Sequence, residues 1–174
     1  MIYSGFWRRF VAVIIDGVLL TIPMYVLAIA LGVPFMEEFV STFPLDQIEN
    51  MDQQEAAQVM MSQFSSVMPR LILWQLLAIL IPWLYFAFME SSHLQATIGK
   101  MAMGSIVTDL EGDRISFLRA TGRYFGKIVS HIILMIGFLM AGFTARKQAL
   151  HDMLAGCLVI QKTSNVKTLY ELPE

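Results

Sequence analysis

Residues 6–32, FWRRFVAVIIDGVLLTIPMYVLAIALG, impose the first constraint, because after Arg8 and Arg9 the run is apolar throughout except for one carboxylate, Asp16. A hydrocarbon layer ~30 Å thick is crossed by about 20 apolar residues in an α-helix. A helix satisfies every backbone polar group within itself, so lipid accepts it. The run is longer than the apolar part of a secretory signal and carries Asp16, so it reads as an uncleaved spanning helix over about 10–33. Pro23 predicts a kink inside it, and Pro34 marks its end. Composition agrees: 56% of residues are hydrophobic and only 15% charged, with a mean hydropathy of +0.61, far from the soluble average.

Two further apolar stretches, 71–89 and a shorter one at 128–143, complete the expected fold class. It is an all-α membrane protein with about three transmembrane helices and a small cytoplasmic β-hairpin. Trp74, Trp83 and Tyr85 read as interface anchors of the second span. After residue 143 the sequence TARKQALHDMLAGCLVIQK leaves two topologies open. Three full crossings would place Arg146, Lys147 and Lys162 outside, whereas a re-entrant or short fourth segment through LHDMLAGCLVI keeps more of them inside. Three helices with a partly inserted, re-entrant C-terminal segment is the expectation.

Charge is segregated along the chain. The net value of −2 arises from 12 basic and 14 acidic residues and offers no basic field for nucleic acid. Between Phe35 and Pro69 there is no lysine or arginine, while Glu37, Glu38, Asp46, Glu49, Asp52 and Glu55 accumulate. Basic loops stay cytoplasmic, so Arg8 and Arg9 place the N-terminus inside and the acidic loop, 34–69, outside. Within that loop Leu45, Ile48, Met51, Val59 and Phe64 recur at near-helical spacing, which predicts an amphipathic surface helix with a solvated acidic face.

The cytoplasmic segment, 90–127, is polar. SIVTD and the EGD before RIS predict two short strands around a turn with Gly112 at positive φ. Arg119, Arg123 and Lys127, spaced four apart, form a stripe expected to meet anionic headgroups. Gly122, Gly126 and Ser130 repeat at the same interval and favour close helix packing.

Several groups invite chemistry. Arg9 and Asp16 are seven apart and share a helix face, roughly 10 Å apart along the axis. A carboxylate within hydrocarbon costs about 2.5–3.5 kcal/mol on insertion scales and faces a partner or a wet cavity. His151 and Asp152 form a dyad suited to proton relay or metal binding, but His93 and His131 lack ligand spacing to it, which leaves any metal unknown. TIGK, with Gly99 and Lys100, lacks the first glycine of a phosphate loop and reads as a structural motif. No nucleophile elbow or paired-cysteine pattern is present, so no catalytic residue, cofactor or enzymatic activity is expected. The single cysteine, Cys157, lies in apolar LAGCLVI and reads as a packing residue.

Three stretches, RFVAVIID, ATIGKMAMGSIVTDLEGDRIS and RKQALHDMLAGCLVI, in this order and spacing resemble the RDD family of small membrane proteins. The resemblance runs from about Trp7 to Lys162, apart from the acidic loop, and implies an RDD-like membrane domain over 1–162, leaving 163–174 as a polar tail. It implies that the family arginine is Arg9 and its two aspartates are Asp16 and Asp152. Cys157 departs from the family's usual threonine. The resemblance further implies transport of an unassigned solute, with monovalent cation/proton antiport proposed for part of the family. Such exchange suits a buried carboxylate that binds either H⁺ or Na⁺ beside an arginine. Three helices enclose no pathway alone, so a homo-oligomer in the lipid bilayer is expected, in a bacterial cytoplasmic (inner) membrane. The rival reading is a non-enzymatic membrane scaffold. On either reading Arg9, Asp16 and Asp152 should converge on one polar cluster, each being costly alone near hydrocarbon.

Overall fold

The computed structural model describes residues 1–33, 41, 51–132 and 136–162, with backbone alone at 131, 132 and 136. Along the chain run α1 (Phe6–Ala30), α2 (Gln53–Ser91), α3 (Ile98–Ala102), β1 (Ser105–Asp109), α4 (Phe117–Ile132), α5 (Ile136–Phe143), α6 (Leu150–Leu154) and β2 (Cys157–Gln161). Among the described residues α1 and α2 are long and apolar enough to cross a membrane. Only 11% and 6% of the residues in their most apolar windows are buried, so these are not core helices of a soluble protein. Val13, Ile22, Ile72 and Leu76 stand exposed, as lipid makes favourable. The expected third span, 128–143, instead falls on the end of α4, on α5 and on the residues between, neither helix reaching 18 residues.

The chain divides into two compact units. One is Leu20–Ile81. Here α1 continues through Pro23 and ends where Gly32, at φ +59°, turns left-handed. Val33 N–H then donates to Ala28 C=O (3.0 Å) and Gly32 N–H to Ile29 C=O (2.9 Å), satisfying carbonyls the helix end leaves open. Helix α2 opens on Asp52, whose Oδ1 accepts from the N–H groups of Gln54 (2.8 Å) and Glu55 (2.7 Å). The expected amphipathic helix is therefore no separate element from Gln53 onward. Its residues Val59 and Phe64 belong to the 39-residue α2 that also contains the second span, while Leu45, Ile48, Glu37, Glu38, Asp46 and Glu49 lie outside the described residues.

The other unit comprises Met1–Leu19 and the chain from Pro82 onward. Its sheet corrects the expected hairpin. β1 pairs antiparallel with β2, Val107 opposite Val159, and not with RIS. The turn is real: Gly112 has φ +99°, and Asp109 Oδ1 accepts from the N–H groups of Glu111 and Asp113. The return strand is pre-empted because Ser116 Oγ accepts from Arg119 N–H and starts α4. Along β2, Cys157, Leu158 and Val159 are buried. The stretch read as a re-entrant or fourth membrane segment is thus divided between the short α6, Leu150–Leu154, and β2, whose backbone is paired with β1. Residues 2–4 run beside β2 on its other edge, with Ser4 N–H donating to Val159 C=O (2.8 Å) and Gln161 N–H to Ile2 C=O (2.8 Å). The core gathers Ala87, Val107, Ile115, Ala120, Cys157 and Val159, with Trp83 packed against it. Trp83, expected as an interface anchor, donates its indole N–H to Thr121 Oγ1 (3.2 Å).

Candidate functional site: a charge network and an aspartate clasp

The N-terminal edge of the sheet sets the start of α1, and that start delivers Arg9. Its Nε donates to Ser4 C=O (3.0 Å), its Nη2 to Lys147 C=O (2.5 Å), and its Nη1 to Asp152 Oδ2. Lys147, itself at φ +49°, turns its carbonyl there. Asp152 sits at the third position of α6, where its Oδ2 also accepts from Ala149 N–H (3.1 Å). From the other side comes Arg123 of α4, with Nε 2.8 Å and Nη2 2.7 Å from Asp152 Oδ1. The same guanidinium reaches Glu90 Oε2 through Nη1 (2.6 Å), and Lys100 Nζ bonds Glu90 Oε1. The result is a continuous buried chain, Arg9–Asp152–Arg123–Glu90–Lys100. Arg123, Glu90 and Asp152 are each at most 2% exposed. Charges this deep are tolerable only when each is paired and hydrogen-bonded, and among the described residues no buried side-chain N or O lacks a partner.

Local electrostatics follow from that pairing. Burial works against ionisation of Asp152, but Arg123 and then Arg9 outweigh it and hold the carboxyl well below the usual carboxylate range. Burial likewise works against the Arg123 cation, and Glu90 and Asp152 more than restore it. Lys100 is brought down to about 7, by burial first and the Arg123 charge second, against the pull of Glu90. Burial takes His151 down to about 3 despite Asp152. His151 is thus neutral near pH 7, its ring 5.1 Å from that of Phe138 and its Nδ1 3.4 Å from Ser130 Oγ.

Asp16 lies apart from this chain. Its Oδ1 accepts from Tyr85 O–H (2.8 Å) and Gly99 N–H (2.7 Å), and its Oδ2 from Thr97 O–H (2.6 Å). Thr97 is also the N-cap of α3, and of the orphan donors at the start of that helix the carboxylate takes Gly99 N–H, while Ile98 N–H goes to Tyr85 Oη and Lys100 N–H to Thr97 Oγ1. Gly99 is obligatory for this approach. A Cβ there would overlap Ala12 C=O and stand 2.9 Å from Asp16 Cγ. TIGK is therefore a structural motif in which Thr97 and Gly99 hold Asp16 while Lys100 joins the charge chain.

The structure brings Arg9 to Asp152 and leaves Asp16 in its own clasp. Arg9, Asp16, Lys100, Lys127 and His151 nevertheless line one cavity of about 340 Å³. Sequence reading missed Glu90, Tyr85 and Thr97, and assigned Arg123 and Lys127 to lipid headgroups. The signals available were an acid placed directly after an apolar span and a basic i, i+4 pair; neither says which way the side chains turn. Among the described residues no three His, Cys, Asp or Glu side chains group as metal ligands would.

Two long lipid-suited helices, with a small sheet and a buried chain of ion pairs, define an integral membrane protein with buried charge. The sequence pattern of the RDD family matches residues 3–156, and the chain belongs to that family. It is similar to Uncharacterized protein YxaI of Bacillus subtilis (strain 168), 33% identical over 159 residues that cover 91% of this chain and 97% of the relative. No solved structure matches it.

Proposed function

We propose that the protein is a small transporter of the cytoplasmic membrane that exchanges a proton for a monovalent cation at Asp16, working as a homo-oligomer with its N-terminus inside. One observation carries this reading: Asp16 is a buried carboxylate in an apolar spanning helix whose hydrogen-bond donors, Tyr85, Thr97 and Gly99, are all uncharged. A carboxylate without a fixed cationic partner takes up H⁺ or a monovalent cation. Tyr85 and Thr97 hydroxyls can turn to offer lone pairs, which completes an oxygen set with the carboxylate. Arg9, Arg123, Glu90 and Asp152 serve instead as the frame, since their charges already neutralise one another. Two spanning helices enclose no pathway, which is the reason for an oligomer.

The scaffold reading is favoured by the same clasp, because Asp16 also tethers the start of α3. Asp16→Asn separates the two. Asn retains the capping oxygen, and its NH₂ can donate to Thr97 Oγ1, so the variant should fold with wild-type thermal stability. In proteoliposomes at equal protein density, a Na⁺ or K⁺ jump should change an internal pH dye with wild type and not with Asp16→Asn. Equal responses, or none from either, would refute exchange.

A further inference from the structure

We infer that the cavity beside the charge network binds an amphipathic anion, an acidic head on a single apolar chain. The argument starts with Lys127. Its ammonium stands 3.9 Å from the centre of the Phe86 ring, and its nearest carboxylate oxygen, Glu90 Oε1, is 3.8 Å away, beyond hydrogen-bonding distance. The other three cations of the network have their acceptors: Arg9 and Arg123 on Asp152, and Lys100 on Glu90. Lys127 alone of the four therefore presents its N–H donors without an acceptor among the described residues.

The remaining wall selects the rest of the ligand. Phe6, Phe10, Val13, Phe138 and Leu139 line the cavity, and Phe10 and Val13 of α1 continue outward as exposed apolar surface. In a bilayer that surface meets acyl chains, so an anion that carries one acyl chain covers the wall and brings its head to Lys127, which an inorganic anion does not. At about 340 Å³ the space is at the small end of ligand cavities, which fits one chain better than a two-chain lipid. Asp16 lines the same cavity, but the inference rests on Lys127 and the apolar wall, and labelling is read without any exchange.

The test is photolabelling of the purified full-length protein in non-ionic detergent with a diazirine-bearing hexadecanoic acid and, in parallel, the matching alcohol. The acid should label and the alcohol should not. Lys127→Met should cut labelling about tenfold or more, the worth of a hydrogen bond to a charged group. Leu139→Trp, which fills the apolar end and alters no charge, should cut it as well, and it decides the matter if Lys127→Met fails to fold. Competition by unlabelled palmitic acid marks a carboxylate ligand, and competition by a single-chain lysophosphatidic acid a phosphate. Equal labelling by acid and alcohol, undiminished labelling of both variants, or competition by inorganic phosphate as effective as that of the lipids would overturn the assignment.

Discussion

Arg123 and Asp152, 29 residues apart, meet through two nitrogens on one oxygen, Nε and Nη2 at 2.8 and 2.7 Å from Oδ1. Because Arg123 also holds Glu90 at 2.6 Å, it is the joint between the end of α2 and the start of α6. Replacing it by Met leaves two buried carboxylates short of a cation. Loss of one member of a buried pair costs about 3–5 kcal/mol, so Arg123→Met should lower the thermal midpoint in detergent sharply. Arg123→Lys should recover only part, since a single ammonium cannot span both acids. An unchanged midpoint in Arg123→Met would show that the joint is dispensable.

Gly99 tests the clasp. The methyl of Gly99→Ala collides with the Ala12 backbone, so α1 and α3 must separate and the Asp16 bonds lengthen. Overpacking of this kind costs about 1–3 kcal/mol. The expected outcome is a lower midpoint, together with faster amide exchange at Gly99. Gly122→Ala provides the control, because nothing lies within 4 Å of a Cβ at that position.

Acid sensitivity should come from His151. Its folded value of about 3 lies below the ordinary 6.5, so between those values the unfolded chain binds a proton that the folded chain does not. Stability is complete above pH 6.5 and falls as pH drops toward 3, by at most about 1.4 kcal/mol per unit from this residue. His151→Phe keeps the ring against Phe138, and Ser130 Oγ retains its bond to Gly126 C=O (3.1 Å). The variant should show a shallower decline in midpoint between pH 6.5 and 4; a slope equal to wild type would remove His151 as the cause.

Orientation is checked at Ser41, an exposed position in the stretch free of lysine and arginine. Ser41→Cys should react with a membrane-impermeant thiol reagent on intact cells, using Cys157→Ser as background because the native thiol is buried. Reaction only after lysis would reverse the proposed topology.

The sequence by itself determined that the chain belongs in a membrane, because length and apolarity of a run are local properties that decide its transfer into lipid. It also marked Arg9, Asp16, Asp152 and Gly112: a charge within an apolar run, or a glycine in an acidic turn, stands out without any partner. What it could not contain was partnership. Whether β1 pairs with RIS or with Cys157–Gln161 depends on which edge is free once Ser116 has capped α4, and on the burial that Leu158 and Val159 gain. Whether Arg123 and Lys127 face headgroups or the interior depends on the rotation of α4, which was set by a glutamate 33 residues earlier. Asp16 was legible as a carboxylate needing a partner, yet two arginines on Asp152 and three neutral donors on Asp16 is a division only the tertiary structure decided, because a buried charge is settled by whichever groups the fold brings within about 3 Å.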